Sequence, residues 1–345
     1  MLEGYFAGVQ ERVLSRSWNM EGIVLALVLV TVGLYLGGSY ANKSKFESWI
    51  REQSKNLESQ FFQVGVSKKE LFFSDDEQHY VSYASGRVNV AQFIMKFTLE
   101  SRQNFTVWLM EHVFHFFFES IEALNDEVEI TATLHDDIKV DPFICAIVNK
   151  DDMDKKRKDN YFLSLTKTSD SDKLPVEYVY MSESAEINDA LWTPELKELL
   201  EQNVDLIQYI AFTDQSSVHP FSLDETKPKF KAYLKLKLKS DKSSLARTSE
   251  IINRFLELID FIASKKFKIR SEVSKKIAKV REAEVKKLQK LIDQDKKEQL
   301  EEQKLEEMKK QREKLKNNPK ELEKLEKKQR EKQQRKMMKK QRVRG

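Results

Sequence analysis

The sequence predicts an α+β domain that is attached to a membrane by one N-terminal helix and followed by a long, charged helical tail. Three observations predict this fold class. An uncharged apolar stretch lies near the N-terminus, strand-like and helix-like hydrophobic patterns alternate in the middle, and charged residues dominate the C-terminal part. The 345 residues, 40% of them hydrophobic, are enough for at least one buried core.

Charge is distributed unevenly along the chain. From residue 265 to the end, 31 residues are basic and 15 are acidic, whereas 29 basic and 41 acidic residues precede them. A segment with a net charge of +16 therefore follows one with a net charge of −12. Such asymmetry is typical of a folded acidic part joined to a basic segment that binds a polyanion.

The apolar stretch covers residues 22–42 and reads GIVLALVLVTVGLYLGGSYAN. These 21 uncharged residues match the length of about 20 that a membrane-spanning helix requires. Trp18, Tyr35 and Tyr40 lie where interfacial aromatic residues are expected. The segment is too long and too uncharged to be a typical buried core helix. We therefore expect a single-pass membrane anchor.

The alternative for this stretch is a cleaved signal peptide. Ser39-Tyr40-Ala41 has small residues at the spacing of a cleavage site. However, about twenty residues precede the apolar run, which is many for a signal peptide. The chain also has one cysteine, Cys145, so a luminal domain has no disulfide. We favour a retained anchor.

Flanking charge predicts the orientation of this anchor. More basic residues follow the segment than precede it, and positive residues favour the cytosolic side. We therefore expect residues 1–21 to be luminal and the remaining bulk of the chain to face the cytosol. The residues counted are Arg12 and Arg16 ahead of the segment, and Lys43, Lys45, Arg51 and Lys55 behind it.

The folded domain is expected over residues 43–268. Lys45–Gln60 predicts a polar helix that leaves the membrane. Residues 79–99 are rich in aromatic and β-branched residues and predict two paired strands with a turn near Gly86. The next stretch, Asn104–Leu124, contains a tryptophan and several phenylalanines and predicts a buried helix.

The second half of this domain predicts further strands and two helices. EVEITATL, FICAIVNK and LIQYIAF have the composition of buried strands, and KFKAYLKLKLK alternates apolar residues and lysines, so we expect a strand with one packed face and one wet face. Thr193-Pro194 begins one helix, and Ser244–Lys265 has the period of an amphipathic helix. The sum is an antiparallel or mixed sheet covered by helices.

No motif in the sequence indicates an enzyme. Phosphate-binding loops and nucleophile elbows need clustered glycines, and these are absent from the domain. His112 and His115 are three apart on one predicted helix, but no carboxylate–histidine pattern accompanies them. The acidic run Asp75-Asp76-Glu77 lacks the spacing of a calcium loop. We expect no cofactor, no metal site and no small-molecule substrate.

The tail, residues 269–345, predicts two solvent-exposed helices. Glu–Lys pairs at i,i+4, such as Glu306 with Lys310, support them. Asn318-Pro319 predicts a break near 317–319 between helices over 271–316 and 319–342. A single charged helix or a helical hairpin, coiled-coil-like in composition, fits better than a dimeric coiled coil, because Glu284 and Asp295 interrupt the apolar stripe.

The end of the tail is the predicted binding site for a polyanion. Anionic lipid and nuclear DNA fit less well, because the tail lies a whole domain away from the anchor, has no aromatic residues, and belongs to a membrane protein. Lysine and arginine bind RNA phosphates without base stacking, so we expect the ribosomal RNA backbone as the target. The predicted contacts are Lys327, Lys328, Arg330, Lys332, Arg335, Lys336, Lys339, Lys340, Arg342 and Arg344.

Four motifs carry a resemblance to a known family. They are YASGRVN at 83–89, FTDQ at 212–215, KKFKIR at 265–270, and NPKELEKLEKKQREKQQRKMMKK at 318–340. In this order and spacing the chain resembles the calumin family, the coiled-coil-domain subunit of the PAT complex in the multipass translocon of the endoplasmic reticulum. Animal members have a long acidic luminal region ahead of the anchor, whereas about twenty residues precede it here.

The resemblance implies a function in membrane-protein biogenesis. It implies a non-enzymatic scaffold and chaperone subunit in the endoplasmic reticulum membrane, which binds translating ribosomes and helps multipass proteins to insert and fold. The implied partners are an Asterix-like small multipass subunit, the Sec translocon, Oxa-type insertase subunits, the ribosome and the lipid bilayer. The alternative that the residues leave open is a membrane-anchored RNA-binding or tethering protein without chaperone activity.

Overall fold

The structure is a computed structural model that describes residues 19–67, 70–118, 125–264 and 267–314. The chain divides into two compact units. The first unit contains residues 1–220 and 224–279, and the second contains residues 221–223 and 280–345. The first unit contains the sheet, its core and the candidate membrane helix.

The first helix, α1 (Asn19–Glu58), is continuous over 40 residues. At about 1.5 Å per residue it is about 60 Å long, roughly twice the thickness of a bilayer core. The sequence predicted a membrane helix over 22–42 and a separate polar helix over Lys45–Gln60. The two are one helix, and its second half is not merely polar, because Phe46, Trp49 and Leu57 are buried in the domain core.

Among the described residues, one sheet of ten strands forms the centre of the first unit, and all of its strand pairs are antiparallel. This selects the antiparallel alternative of the two that the sequence left open. The strands are β1 (Gln63–Val64), β2 (Phe72–Ser74), β3 (His79–Ser85), β4 (Val90–Thr98), β5 (Glu127–Leu134), β6 (Ile144–Asn149), β7 (Lys167–Ser169), β8 (Tyr178–Ser182), β9 (Ile207–Thr213) and β10 (Lys231–Lys237). Their order in the sheet is β1-β3-β4-β5-β10-β9-β6-β8-β7, with β2 also paired to β3.

Several of the remaining described helices begin after a residue whose side chain accepts a hydrogen bond from a backbone N–H of the first turn. Thr193 Oγ1 accepts from the Leu196 amide at 3.2 Å, and Asp241 Oδ2 accepts from the Ser244 amide at 2.9 Å. The helices are α2 (Phe105–Phe117), α3 (Met153–Asp159), α4 (Tyr161–Ser164), α5 (Ala185–Leu191), α6 (Pro194–Gln202), α7 (Lys242–Ala263) and α8 (Ser271–Lys314).

The main core lies between one face of the sheet and the helices α1 and α7. The rings of Phe46 and Trp49 on α1 pack edge-on against Phe97 of β4, at centroid distances of 4.7 and 5.0 Å. Between the two helices, Gln53 Nε2 donates to the Leu245 carbonyl at 2.9 Å. The C-terminal half of α1 is therefore a structural part of the domain and not a linker.

The strand β10 has the period that the sequence predicted. Ala232, Leu234 and Leu236 are buried in the main core, and Lys237 is exposed. The expectation of a wet second face is wrong at Tyr233, which belongs to a smaller core on the opposite face. There the ring of Phe162 from α4 stacks on Tyr233 at a centroid distance of 5.4 Å.

Most predicted elements are confirmed, and one is placed in the wrong environment. The hairpin β3–β4, the strands β5, β6 and β9, and the helices α6 and α7 lie where expected. The buried helix expected over Asn104–Leu124 is present as α2, but none of its side chains is buried, and residues 119–124 lie outside the described ranges. The sequence also missed β8, a fully buried strand of five residues.

We expect a charge at Leu236 to destabilise the domain strongly. Leu236→Asp places a carboxylate without a partner in the main core and is expected to cost more than about 3 kcal/mol. Lys237→Ala, one position along the same strand, should change stability by less than about 0.5 kcal/mol. Thermal unfolding of the detergent-solubilised chain measures both, and equal melting temperatures would contradict the packing of β10.

Candidate membrane interface

Within the described residues, α1 is the one helix that is long and apolar enough to cross a membrane. No residue of its most apolar window is buried within the described part of the chain. An exposed apolar surface of this size is typical of a segment that contacts lipid. In hydrocarbon a helix satisfies its own backbone hydrogen bonds, so α1 meets the main requirement for a span.

A group of polar side chains lies where α1 leaves this apolar segment. We call Asn42, Lys45, Glu100, Arg102 and Asp126 the juxtamembrane polar cluster. The Asn42 side-chain amide is fully buried and donates to the Glu100 carbonyl at 2.9 Å. Its oxygen accepts from Arg102 Nη1 at 2.9 Å. The cluster therefore joins α1 to the segment that follows β4.

Asp126, next to the start of β5, is the centre of this cluster. Its side chain is 3% exposed, and it accepts two hydrogen bonds from Arg102, at 2.8 and 2.9 Å. It also accepts from the Glu100 amide at 2.9 Å and pairs with Lys45 of α1. Burial by itself raises the pKa of Asp126, but the bonds from Arg102, Lys45 and Glu100 outweigh burial and lower this pKa below its ordinary value.

A glycine allows the two chain segments to approach closely. A Cβ atom on Gly38 of α1 would lie 2.1 Å from the carbonyl oxygen of Arg102 and 2.5 Å from the amide nitrogen of Gln103. Both distances are shorter than the contacts that Cβ atoms make in real structures. A Cβ atom on the preceding residue, Gly37, would have no other atom within 4 Å. The contact at Gly38 therefore brings the Arg102–Gln103 segment directly onto the apolar part of α1.

The helix α2 begins immediately after this contact. Asn104 caps it, because its side-chain oxygen accepts from the Val107 amide at 3.3 Å. Two of its polar side chains form hydrogen bonds with the segment that contains Glu100 and Arg102. Trp108 Nε1 donates to Glu100 Oε2 at 3.1 Å, and Glu111 accepts from Ser101 Oγ at 2.9 Å.

The two histidines of α2 do not form a metal site in the described chain. His112 Nδ1 is bonded to the Trp108 carbonyl at 2.8 Å. Among the described residues, no group of three or more histidine, cysteine, aspartate or glutamate side chains is placed to hold a metal ion. In the acidic run at 75–77, Asp76 Oδ1 accepts from the amides of Gln78 and His79, both at 2.7 Å, so it shapes the turn before β3.

The predicted RNA contacts of the tail, Lys327 to Arg344, lie outside the described residues. The described part of the tail is the helix α8, which the sequence placed over 271–316. The expected pair between Glu306 and Lys310 is present at 3.8 Å, and Glu284 pairs with Lys287 at 2.7 Å. A coiled-coil arrangement of the tail stays a prediction.

Comparison with known proteins identifies the family. A family model described as PAT complex subunit CCDC47 matches residues 17–336, which is most of the chain. The chain belongs to this family. Its description is that of a subunit of a complex.

Relatives in fungi and animals agree with this family. The chain is 28% identical over 277 residues to the UPF0674 endoplasmic reticulum membrane protein C2G5.01 of Schizosaccharomyces pombe, covering 77% of this chain and 74% of that protein. It is 26% identical to the UPF0674 endoplasmic reticulum membrane protein YNR021W of Saccharomyces cerevisiae, covering 82% and 78%. It is 23% identical to the human PAT complex subunit CCDC47, covering 69% of this chain and 49% of that protein.

Two of the motifs that carried the resemblance connect separate elements of the fold. In 83–89, Arg87 Nη2 and Asn89 Nδ2 donate to Asp260 of α7 at 2.5 and 2.8 Å, and Gly86 provides the positive φ of the turn. In 265–270, the Phe267 ring packs on Phe143 at 5.0 Å. In the described structure these motif residues therefore fix α7 and the segment that follows it to the rest of the domain.

The close contact at Gly38 makes a testable prediction. Gly38→Ala forces the Arg102 carbonyl away from α1, and we expect a loss of about 2 kcal/mol despite the better helix propensity of alanine. Gly37→Ala meets no atom and is expected to be neutral or slightly stabilising. The melting temperatures of the two variants in detergent measure this difference. Equal values would contradict the contact.

The cluster also predicts acid sensitivity. The pKa of Asp126 is lower in the folded state than in the unfolded state, so its stabilisation is complete above about pH 4, the ordinary pKa, and is lost as pH falls through the folded value. Asp126→Asn leaves Arg102 and Lys45 without their common partner and is expected to cost on the order of 3 kcal/mol at neutral pH. Thermal unfolding between acid and neutral pH measures both effects.

The control is Asp136→Asn, the same chemical change at an exposed loop position. At neutral pH this variant should be as stable as the unchanged chain. As the pH falls, it should lose as much stability as the unchanged chain does. If Asp126→Asn behaves like Asp136→Asn, the cluster does not stabilise the junction.

Proposed function

We propose that this protein is a non-enzymatic subunit of a PAT-type complex in the endoplasmic reticulum membrane. In this function it binds translating ribosomes and helps multipass membrane proteins to insert and fold. The observation that carries the proposal is the match to the PAT complex subunit family over residues 17–336. The two fungal relatives whose names place them in the endoplasmic reticulum membrane support the location.

The connection of α1 to the domain supports a role at the membrane surface. The helix that carries the apolar segment continues without a break into the main core. The juxtamembrane polar cluster connects α1 to the sheet, because Lys45 of α1 pairs with Asp126 next to β5. A domain joined in this way stays close to the bilayer, which suits a scaffold that recruits membrane partners.

The charge distribution supports the proposed orientation and ribosome contact. We propose that residues 1–21 are luminal, that 22–42 span the bilayer, and that the domain at 43–268 and the tail at 269–345 are cytosolic. The domain core extends a little further, because Ile277 in the first turns of α8 is buried in it. In this orientation the basic end of the tail reaches the phosphate surface of a ribosome at the membrane.

A chaperone role has a physical basis. A polar side chain of a nascent membrane segment is costly in hydrocarbon until it finds a partner helix. A membrane-held scaffold that recruits a shielding subunit beside the ribosome lowers this cost during synthesis. The proposed partners are an Asterix-like small multipass subunit, the Sec translocon and Oxa-type insertase subunits. An RNA-tethering protein without chaperone activity is the second candidate, favoured by the basic tail alone.

One purification distinguishes these functions. We expect the full-length chain, purified from detergent-solubilised membranes, to retain ribosomes together with small multipass proteins and insertase subunits. Removal of residues 327–345 should release the ribosomes and leave the membrane partners. With about five phosphate contacts, the affinity for ribosomes should fall about a hundredfold over a fourfold rise in salt.

A matched pair of variants tests where the ribosome contact lies. Five glutamine substitutions at the end of the tail should weaken ribosome binding, whereas the same loss of charge within α8 should have little effect. The first set is Lys332, Arg335, Lys336, Lys339 and Lys340, and the second is Lys286, Lys287, Lys290, Lys296 and Lys297. Equal effects would refute the tail end as the contact. Recovery of messenger ribonucleoproteins without membrane partners would favour the tethering function.

A further inference from the structure

The helix α2 has a distribution of polarity that is inverted relative to a water-soluble helix. A soluble surface helix buries its apolar stripe and exposes its polar face. In α2 the side that is partly covered contains Trp108, Glu111 and His112, whereas Phe116 and Phe117 are 82% and 71% exposed. The other exposed large apolar side chains of this segment are Phe105, Val107, Leu109, Met110, Val113, Phe114 and Phe118.

The polar groups on the covered side have partners within the protein. Trp108 donates to Glu100, and Glu111 accepts from Ser101, while His112 is bonded to a backbone carbonyl of its own helix. Satisfied polar groups toward the protein and apolar groups outward are the arrangement that a hydrocarbon environment requires.

The position of α2 in the fold indicates which hydrocarbon it meets. Gly38 of α1 is in direct contact with the Arg102–Gln103 segment, and Phe105 lines a groove together with Val32 and Tyr35 of α1. These α1 residues lie inside the uncharged stretch at 22–42. The first turn of α2 is therefore level with the segment that crosses the membrane.

The length of α2 excludes a second crossing by this helix alone. Thirteen residues extend about 20 Å, whereas the hydrocarbon core of a bilayer is about 30 Å thick. A short apolar helix that lies beside the crossing part of α1 has the length expected of a helix that enters only one leaflet.

We propose that α2 is a second membrane-embedded element, which inserts its apolar face into the acyl chains of the leaflet next to the folded domain. The bilayer then contacts this protein at two places, the crossing part of α1 and the outer face of α2. The juxtamembrane polar cluster lies where the two elements meet the sheet. This inference goes beyond the proposed function, since it depends neither on the tail nor on any protein partner.

Lipid is favoured over a protein partner by the contacts of α1 and α2. The groove between them is lined by the same stretch of α1 that has no other cover in the described chain. Lipid that surrounds α1 at that level necessarily reaches α2 as well. A transmembrane helix of another protein, or a second copy of this chain, is the competing occupant.

The test uses the full-length chain with a fluorescent probe on one added cysteine. Phe117→Cys places the probe on the exposed face of α2, and Leu29→Cys places it on the crossing part of α1. Val176→Cys is the matched control, because Val176 is an exposed apolar residue, at 81%, in the loop before β8. The native Cys145 does not compete for the label, since it is buried and burial raises the pKa of its thiol to about 12.

Each labelled protein is purified and reconstituted into phosphatidylcholine vesicles, with and without lipid that carries a spin label on its acyl chains. We expect the probe at 117 to be quenched by the spin-labelled acyl chains as strongly as the probe at 29. The probe at 176 should be quenched by iodide in the aqueous phase and not by the lipid. Thermal unfolding of the unlabelled variants checks that each protein is folded.

Two outcomes would overturn the proposal. A probe at 117 that responds to aqueous iodide, as at 176, means that α2 is exposed to water in the absence of a protein partner. A probe at 117 that is protected from both quenchers, with a signal that changes on dilution of the protein in the vesicles, means that a second copy covers the helix.

Discussion

The hydrogen bonds to the Asp126 carboxylate determine how the candidate membrane helix is joined to the folded domain. A buried carboxylate is unfavourable unless it is paired, and here Arg102 and Lys45 provide two positive charges while the Glu100 amide provides a further donor. Lys45 belongs to α1, Arg102 follows β4, and Asp126 precedes β5. One carboxylate therefore fixes α1 and two strands of the sheet to each other.

The position of α1 follows from this junction. Within the described residues, none of the most apolar window of α1 is buried, whereas the C-terminal half of α1 buries aromatic residues against β4. Since the helix is continuous, any tilt of the domain relative to the crossing segment must bend a helix or break the cluster. The absence of a Cβ atom on Gly38 allows the chain after β4 to approach the same helix, and α2 begins there. The resulting arrangement is well suited to a scaffold at the bilayer surface.

The two faces of the sheet have different roles. The face covered by α1 and α7 contains the larger core, and the YASGRVN motif binds α7 through Asp260. On the opposite face Phe162 packs on Tyr233 in a smaller core. The motifs at 83–89 and 265–270 thus stabilise the connection between the helices and the sheet, whereas the proposed lipid contacts lie on α1 and α2 and the proposed ribosome contact lies on the tail.

The sequence by itself determined the fold class, the apolar segment and most of the strands. Their periods are local properties, because the residues of a strand that face one core lie at every second position, as Ala232, Leu234 and Leu236 do in β10. Short elements such as β8 were missed, since five residues are too few to establish a period. The charge asymmetry and the motifs were sufficient to indicate the family.

Only the tertiary structure decided the surroundings of each apolar segment. Composition is the same for a core helix and for a helix in lipid, so Asn104–Leu124 was expected to be buried, whereas α2 is exposed. Likewise, Lys45–Gln60 was expected to be a polar helix, although its apolar residues are the ones that enter the core. The partners of Asp126 come from two separate parts of the chain, α1 and the segment after β4. No local pattern brings such residues together, because their proximity depends on the pairing of β4 with β5 and on the path of α1 across the sheet.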